Sequence, residues 1–146
     1  MTATNEAAPV LVVRRQMAVP RERVFDAWLD SESLAHWMRP GDIGRSTVSV
    51  DARVGGRFRI LMQGPTYAVE HVGEYLAIER PSLLSFTWIS EKTDHIATVV
   101  TVEFHERGTG TEVVLTHRRL PPKAVEAHRR GWTDIVRLLE EALRRG

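Results

Sequence analysis

The C-terminal stretch PPKAVEAHRRGWTDIVRLLEEALR, residues 121–144 of a chain of 146 residues, carries the strongest structural signal. Pro121-Pro122 opens a segment in which apolar side chains and one histidine recur at helical spacing: Val125, His128, Trp132, Ile135, Val136, Leu139 and Leu143. Side chains at such intervals share one face of an α-helix. The pattern predicts a long amphipathic helix that runs to about Arg144 and must cover an apolar surface.

The preceding sequence predicts an antiparallel sheet that supplies this surface. Turn formers such as Gly64-Pro65 and Arg107-Gly108-Thr109-Gly110 separate its segments and favour short connections. We expect seven strands: Val10–Met17, Ser46–Val50, Gly56–Met62, Tyr67–Ile78, Leu83–Ser90, Ile96–His105 and Thr111–His117. Period-two alternation places one row of side chains on a common inner face: Phe58, Ile60, Met62, Leu84, Phe86, Trp88, Val100, Val102, Phe104, Val113, Leu115 and His117.

Two short helices are expected after the first strand. The first follows Pro20, which suits an opening helical turn, and carries the stripe Val24, Phe25, Trp28 and Leu29. The second begins at Asp30-Ser31, which provides an N-cap, and ends before Pro40-Gly41. Residues 1–9 are predicted to form a disordered tail, and residues 10–146 to form one domain.

Composition excludes several classes of protein. Twenty basic residues nearly balance nineteen acidic ones, so the net charge of +1 argues against a nucleic-acid partner. The chain has no cysteine, which excludes disulfides and thiolate chemistry and suits a reducing compartment. The apolar runs are too short to span a membrane, and no signal peptide is evident, so we expect a cytoplasmic protein. We expect no cofactor and no metal, because His128 has no histidine four residues later.

Short motifs in a fixed order point to a known family. They include Val24-Phe25-Asp26-Ala27-Trp28, Leu34-Ala35-His36-Trp37, Val54-Gly55-Gly56-Arg57-Phe58, Leu84-Ser85-Phe86-Thr87-Trp88 and Leu115-Thr116-His117. With them the chain resembles the bacterial single-domain homologues of the activator of heat-shock-protein-90 ATPase, within the START-like (SRPBCC) superfamily. The resemblance implies an α+β helix-grip fold like that of the birch-pollen allergen. In that fold a curved antiparallel sheet of about seven strands wraps a long C-terminal helix, and a deep pocket lies between them.

Such a pocket predicts a binding protein for a small hydrophobic or aromatic ligand, with a small apolar molecule or a lipid as its partner. The Met38–Gly41 loop is expected to form the lip of the pocket, and Gly131 is interpreted as a packing glycine. The expected ligand-binding residues are Trp37, Met38, Phe58, Ile60, Met62, Phe86, Trp88, Val100, Val102, Phe104, His117, His128 and Trp132.

Two other functions stay open at this point. An enzyme of cyclase, dehydratase or hydrolase type would use His117 or His128 as its acid–base group, although an inward histidine is more often a hydrogen-bonded interior residue. The other alternative is a co-chaperone-like or regulatory interaction module that acts in a stress response. Such a module could also work as a homodimer. We favour the binding protein over the enzyme. His71 is a third histidine of interest whose orientation the pattern leaves unassigned.

Overall fold

A seven-stranded antiparallel sheet and one long helix dominate the computed structural model, which describes residues 10–145. The tail predicted at residues 1–9 lies outside the described residues. The sheet order is β1-β7-β6-β5-β4-β3-β2, so the first strand pairs with the last and the other neighbours follow in sequence. The strands are β1 Val10–Met17, β2 Arg45–Val50, β3 Arg57–Gln63, β4 Ala68–Glu79, β5 Leu83–Trp88, β6 Thr98–Arg107 and β7 Gly110–Arg118.

Three α-helices complete the fold: α1 Arg21–Ala27, α2 Ser31–Trp37 and α3 Val125–Arg145. Asp30 caps α2 as predicted, because its side chain accepts a hydrogen bond of 3.1 Å from the backbone N–H of Glu32. A 3-10 turn at Pro122–Ala124 precedes α3. The predicted fold class, an α+β helix-grip architecture with two short helices after the first strand, is confirmed.

The inner face of the sheet is buried as the alternation predicts. On the helix side, Trp132, Ile135 and Leu139 are buried, and α3 packs against β1 and α2. Glu140 departs from the predicted stripe, since it is only 8% exposed. Its carboxylate accepts a hydrogen bond of 2.8 Å from Nε of Arg15 on β1. A buried carboxylate needs such a partner, and this ion pair joins α3 to the edge strand.

The sheet bends at β4. Residues 68–74 pair with β3, residues 75–79 pair with β5, and the register shifts between Tyr75 and Ala77. Gly73 lies at this changeover. A Cβ atom there would lie 2.0 Å from the carbonyl oxygen of Thr87 and 2.4 Å from Cζ of Phe58. Glycine at this position lets β4 approach β5 closely enough for the sheet to curve around α3.

We expect Gly73→Ala to lower the free energy of unfolding by roughly 1–3 kcal/mol, because the methyl group forces backbone and ring atoms apart. Gly44→Ala is the matched control, since a Cβ atom at Gly44 would meet nothing within 4 Å. Urea denaturation of both variants measures the difference. Equal stability of the two variants would contradict the close approach.

Candidate functional site

An open cavity of about 730 Å³ lies between the first half of α3 and the β3–β4 side of the sheet. This volume falls within the range of small-molecule sites. The sheet contributes Met62, Val69, His71 and Trp88 to the cavity wall, and α3 with its preceding turn contributes Ala124, Ala127, His128, Gly131, Trp132 and Ile135. The mouth is formed by Pro40, Gly41, Asp42, Ile43, Tyr67, Glu91, Lys92, Asp94, Lys123, Arg130 and Asp134.

Small side chains keep this space open. Ala124, Ala127 and Gly131 follow each other at intervals of three and four residues, so they share one face of the helix. A Cβ atom on Gly131 would meet only Cβ of Pro40, at 3.8 Å. The interpretation of Gly131 as a packing glycine therefore does not hold, because no sheet atom approaches it. The three small residues at helical spacing were the sequence signal for this wall.

The structure divides the thirteen expected ligand-binding residues into three groups. Those that line the cavity are Met62, Trp88, His128 and Trp132. Those that line a separate void of about 20 Å³ are Met38, Phe58, Ile60 and Phe86. The remaining five line neither space and are buried in the core: Trp37, Val100, Val102, Phe104 and His117. For all thirteen residues, a part in ligand binding stays a prediction.

Aromatic rings fill the centre of the fold, where the expected pocket residues converge. Trp28 packs edge-on against Trp37 with ring centroids 4.9 Å apart, and it stacks on Trp132 at 6.5 Å. Phe58 meets Phe86 at 5.5 Å in a perpendicular arrangement. The void left beside them has room for about one water molecule. The space large enough for a ligand therefore lies not at the centre of the fold but beside the start of α3.

His117 ties the helix to the sheet. The indole N–H of Trp132 donates to Nδ1 of His117 at 2.9 Å. Nδ1 is therefore the unprotonated nitrogen, and Nε2–H donates to Oγ1 of Thr98 at 2.8 Å. The Thr98 hydroxyl in turn donates to the carbonyl oxygen of Trp88 at 2.5 Å. Both ring nitrogens of His117 are thus engaged within the protein.

The same burial keeps His117 neutral. It is fully buried, and removal from water, with a smaller effect from the nearby His128, lowers its pKa to about 3. Protonation would also add a hydrogen to Nδ1, where it would oppose the N–H of Trp132. His117 therefore acts as an uncharged link between α3 and β7.

His128 has a different environment on the cavity wall. Its Nδ1 lies 2.9 Å from the carbonyl oxygen of Ala124, which can only accept, so Nδ1 carries the hydrogen. Burial lowers the pKa of His128, with Lys92 adding to the effect and the Ala124 carbonyl opposing it. The neutral ring consequently presents Nε2 as a hydrogen-bond acceptor, and no described protein group engages that atom.

His71 lies on β4, across the cavity from α3. Its side chain is 6% exposed and packs on Trp88, with ring centroids 4.6 Å apart. Nδ1 is sealed without a hydrogen-bond partner among the described residues, whereas Nε2 is neither sealed nor bonded to protein. Burial, then the charge of His128, lowers the pKa of His71 to about 4, although the backbone of Ile60 opposes the shift. The alternation of Val69, His71 and Tyr75 on β4 was the signal that could have placed it.

Hydrogen bonds to side chains of α3 and of the β3–β4 connection hold the mouth loop, which joins α2 to β2. The backbone N–H of Gly41 donates to Oδ2 of Asp134 on α3 at 2.9 Å. The hydroxyl of Tyr67, from the β3–β4 connection, donates to the carboxylate of Asp42. Gly41 has φ of +63°, a left-handed conformation that glycine adopts without strain. The loop therefore bridges both walls of the cavity.

Within residues 10–145, the histidines and carboxylates do not form a group of three or more that could hold a metal ion. None of the helices in that range has the length and apolar character that a membrane span requires.

Comparison with known proteins identifies related sequences and folds. A family model described as "Activator of Hsp90 ATPase homolog 1-like protein" matches residues 18–144. Among curated proteins, no sequence matches the chain.

Solved structures share the fold at low sequence identity. A Rhodobacter sphaeroides protein is 21% identical, with a TM-score of 0.82 over 94% of this chain and 93% of that one. A Mesorhizobium loti protein is 24% identical, with a TM-score of 0.80 over 94% of this chain and 98% of that one. A Plasmodium falciparum protein described as an Hsp90 activator is 25% identical, with a TM-score of 0.76 over 92% of this chain and 95% of that one.

The buried histidines make stability depend on pH. The folded-state pKa values of His117 (about 3) and His71 (about 4) lie below the ordinary value of about 6.5, so the unfolded chain takes up protons first as the pH falls. Their contribution is complete above pH 6.5 and is lost as the pH falls towards the folded-state values. Each histidine adds a slope of at most about 1.4 kcal/mol per pH unit.

We expect His117→Gln to be less stable than the parent at pH 7.5 but to lose less stability between pH 6.5 and 5. Denaturant titrations across this range measure both slopes. His36→Gln is the control, because His36 is exposed on α2, and its slope should match the parent. An unchanged slope for His117→Gln would show that His117 is not held neutral.

Removal of the Asp134 carboxylate should loosen the mouth loop. We expect Asp134→Ala to speed the amide hydrogen exchange of Gly41 by about fivefold to tenfold, since one hydrogen bond is lost. Asp134 also lies 3.7 Å from Arg137, so Glu141→Ala, which removes only the neighbouring Arg137–Glu141 pair, is the control. Equal Gly41 exchange in both variants would contradict the anchoring role.

Proposed function

The chain belongs to the family of activator of Hsp90 ATPase homolog 1-like proteins, and from this we propose that it binds a small hydrophobic or aromatic ligand between the sheet and α3. The family resemblance drawn from the motifs is confirmed, and the fold is that of a START-like domain. Folds of this kind carry several functions, so the proposal depends on the cavity itself.

The observation that carries the proposal is the open cavity of about 730 Å³ beside a filled core. Its walls are mainly apolar, with Met62, Trp88, Trp132 and Ile135 as the largest such side chains. His71 and His128 add a small number of polar atoms. An apolar lining with few polar groups is typical of small-molecule sites, because burial supplies affinity and hydrogen bonds supply orientation. We place this binding in the cytoplasm, because a chain without cysteine needs no disulfides and suits a reducing compartment.

Regulation of Hsp90 is the second candidate. The Plasmodium falciparum structure, of which the chain covers 95%, is described as an Hsp90 activator. A direct test is the ATPase rate of purified Hsp90 with and without this protein in excess. Stimulation of that rate would support a chaperone partner, whereas an unchanged rate would leave ligand binding as the proposal.

The histidines also bear on the enzymatic alternative. His117 has both ring nitrogens engaged and offers none to a substrate. His128 and His71 each keep Nε2 for contact with the cavity contents. An acid–base role would therefore fall to His128 or His71, and it stays a prediction.

We expect Gly131→Leu to block ligand binding without loss of stability. The new side chain grows into the cavity, and removal of a mid-helix glycine favours α3 by up to about 1 kcal/mol. Thr133→Leu adds the same side chain to the exposed face of α3 and is the matched control. Native mass spectrometry of the purified proteins, and thermal shifts across a panel of hydrophobic compounds, measure binding.

The parent and Thr133→Leu should retain a small molecule or show thermal shifts that Gly131→Leu lacks. Retention by Gly131→Leu equal to that of Thr133→Leu would place any binding elsewhere. The absence of a bound species and of any shift for the parent protein would overturn the proposed function.

A further inference from the structure

Two histidines face the cavity from opposite walls, and each keeps one ring nitrogen free. His128 belongs to α3 and His71 to β4. Among the described residues, neither Nε2 atom has a protein hydrogen-bond partner, and neither is sealed from the cavity. His117, only 5.2 Å from His128 between ring centroids, has no free nitrogen. Of the ring nitrogens of these three histidines, the two Nε2 atoms of His128 and His71 are the ones open to a ligand.

The Ala124 carbonyl determines what His128 can recognise. Because Nδ1 donates its hydrogen to that oxygen, the neutral ring offers a lone pair at Nε2. A ligand group that meets Nε2 must therefore bring a hydrogen. An ether or carbonyl oxygen cannot do so, whereas a hydroxyl can.

His71 places a second polar atom at the cavity wall. Its Nδ1 is sealed without a partner, so Nε2 is the nitrogen through which the ring can reach the cavity contents. A ligand hydroxyl has one hydrogen to donate, and Nε2 of His128 is the acceptor whose orientation the Ala124 carbonyl fixes.

The charges around the cavity do not favour an acid. The lining carries four carboxylates, Asp42, Glu91, Asp94 and Asp134, against the three cations Lys92, Lys123 and Arg130. Lys123 lies 3.5 Å from Asp94, and Lys92 lies 3.9 Å from Glu91, so two of the cations face carboxylates. Burial keeps both histidines uncharged near neutral pH. An anionic ligand would therefore enter without net electrostatic compensation.

We propose that the cavity selects a neutral aromatic molecule bearing a hydroxyl group, with the hydroxyl donating its hydrogen to Nε2 of His128. The aromatic body lies against Trp88 and Trp132, whose ring centroids are 5.0 Å apart at the inner wall. The inference rests on the proposed function, because it specifies the ligand class of the same cavity.

Three probes of similar shape test the inference by calorimetry at pH 7. 2-Naphthol carries a neutral hydroxyl, 2-methoxynaphthalene can only accept a hydrogen bond, and 2-naphthoate is an anion. We expect 2-naphthol to bind about tenfold more tightly than 2-methoxynaphthalene, and 2-naphthoate to bind most weakly. Equal binding of the first two, or tightest binding of 2-naphthoate, would overturn the hydroxyl preference. Failure of all three to bind would count against the proposed function itself.

A variant assigns the preference to His128. His128→Phe keeps an aromatic ring but removes its nitrogens, so it should bring the affinity ratio of 2-naphthol to 2-methoxynaphthalene close to one. His36→Phe, on the exposed surface of α2, should keep the ratio of the parent. A ratio retained in His128→Phe would overturn the contact with His128.

A measurement on the parent protein covers the case in which a variant does not fold. In ¹⁵N NMR spectra of histidine-labelled protein, Nε2 of His128 should resonate as an unprotonated nitrogen. Addition of 2-naphthol should shift this resonance, and 2-methoxynaphthalene should not. A protonated Nε2, or an Nε2 resonance that 2-naphthol leaves unchanged while it binds, would overturn the inference.

Discussion

The position of α3 on the sheet depends on hydrogen bonds that run from Trp132 through His117 and Thr98 to the backbone of Trp88. Each donor in this series has one acceptor, and all four residues are buried. A buried polar group that loses its partner costs about 1–3 kcal/mol, so a shift of α3 along the sheet would be penalised. The series therefore holds Trp132 beside Trp88, and these two rings form the inner wall of the cavity.

The cavity follows from how α3 is attached. Its later turns are held against β1, where Arg15 pairs with Glu140, and its middle is held by Trp132. The 3-10 turn before α3 carries Ala124, and the first turns of α3 carry Ala127 and Gly131; all three are too small to reach the β3–β4 side of the sheet. Space remains because strong attachment at one side is combined with small side chains at the other.

Most of the fold could be predicted from the sequence, because its signals are local. Period-two alternation depends only on the pleat of a strand, so Phe58 and Met62 on β3 were both assigned correctly to the inner face. Alternation cannot say what an inward side chain meets. Phe58 packs on Phe86, whereas Met62, four residues later on the same face, lines the cavity. Burial of the expected residues was predictable, and their division between core and cavity was not.

The sequence by itself determined the elements, their order and the face that each one buries, since these depend on the spacing of neighbouring residues. Only the tertiary structure decided the chemistry of the histidines. His117, His128 and His71 are identical side chains, yet Trp132 and Thr98 occupy both nitrogens of the first. The Ala124 carbonyl orients the second. The third is buried against Trp88 with Nε2 open to the cavity. Except for Ala124, these partners come from distant parts of the chain, and they reach the rings only when the sheet closes on α3.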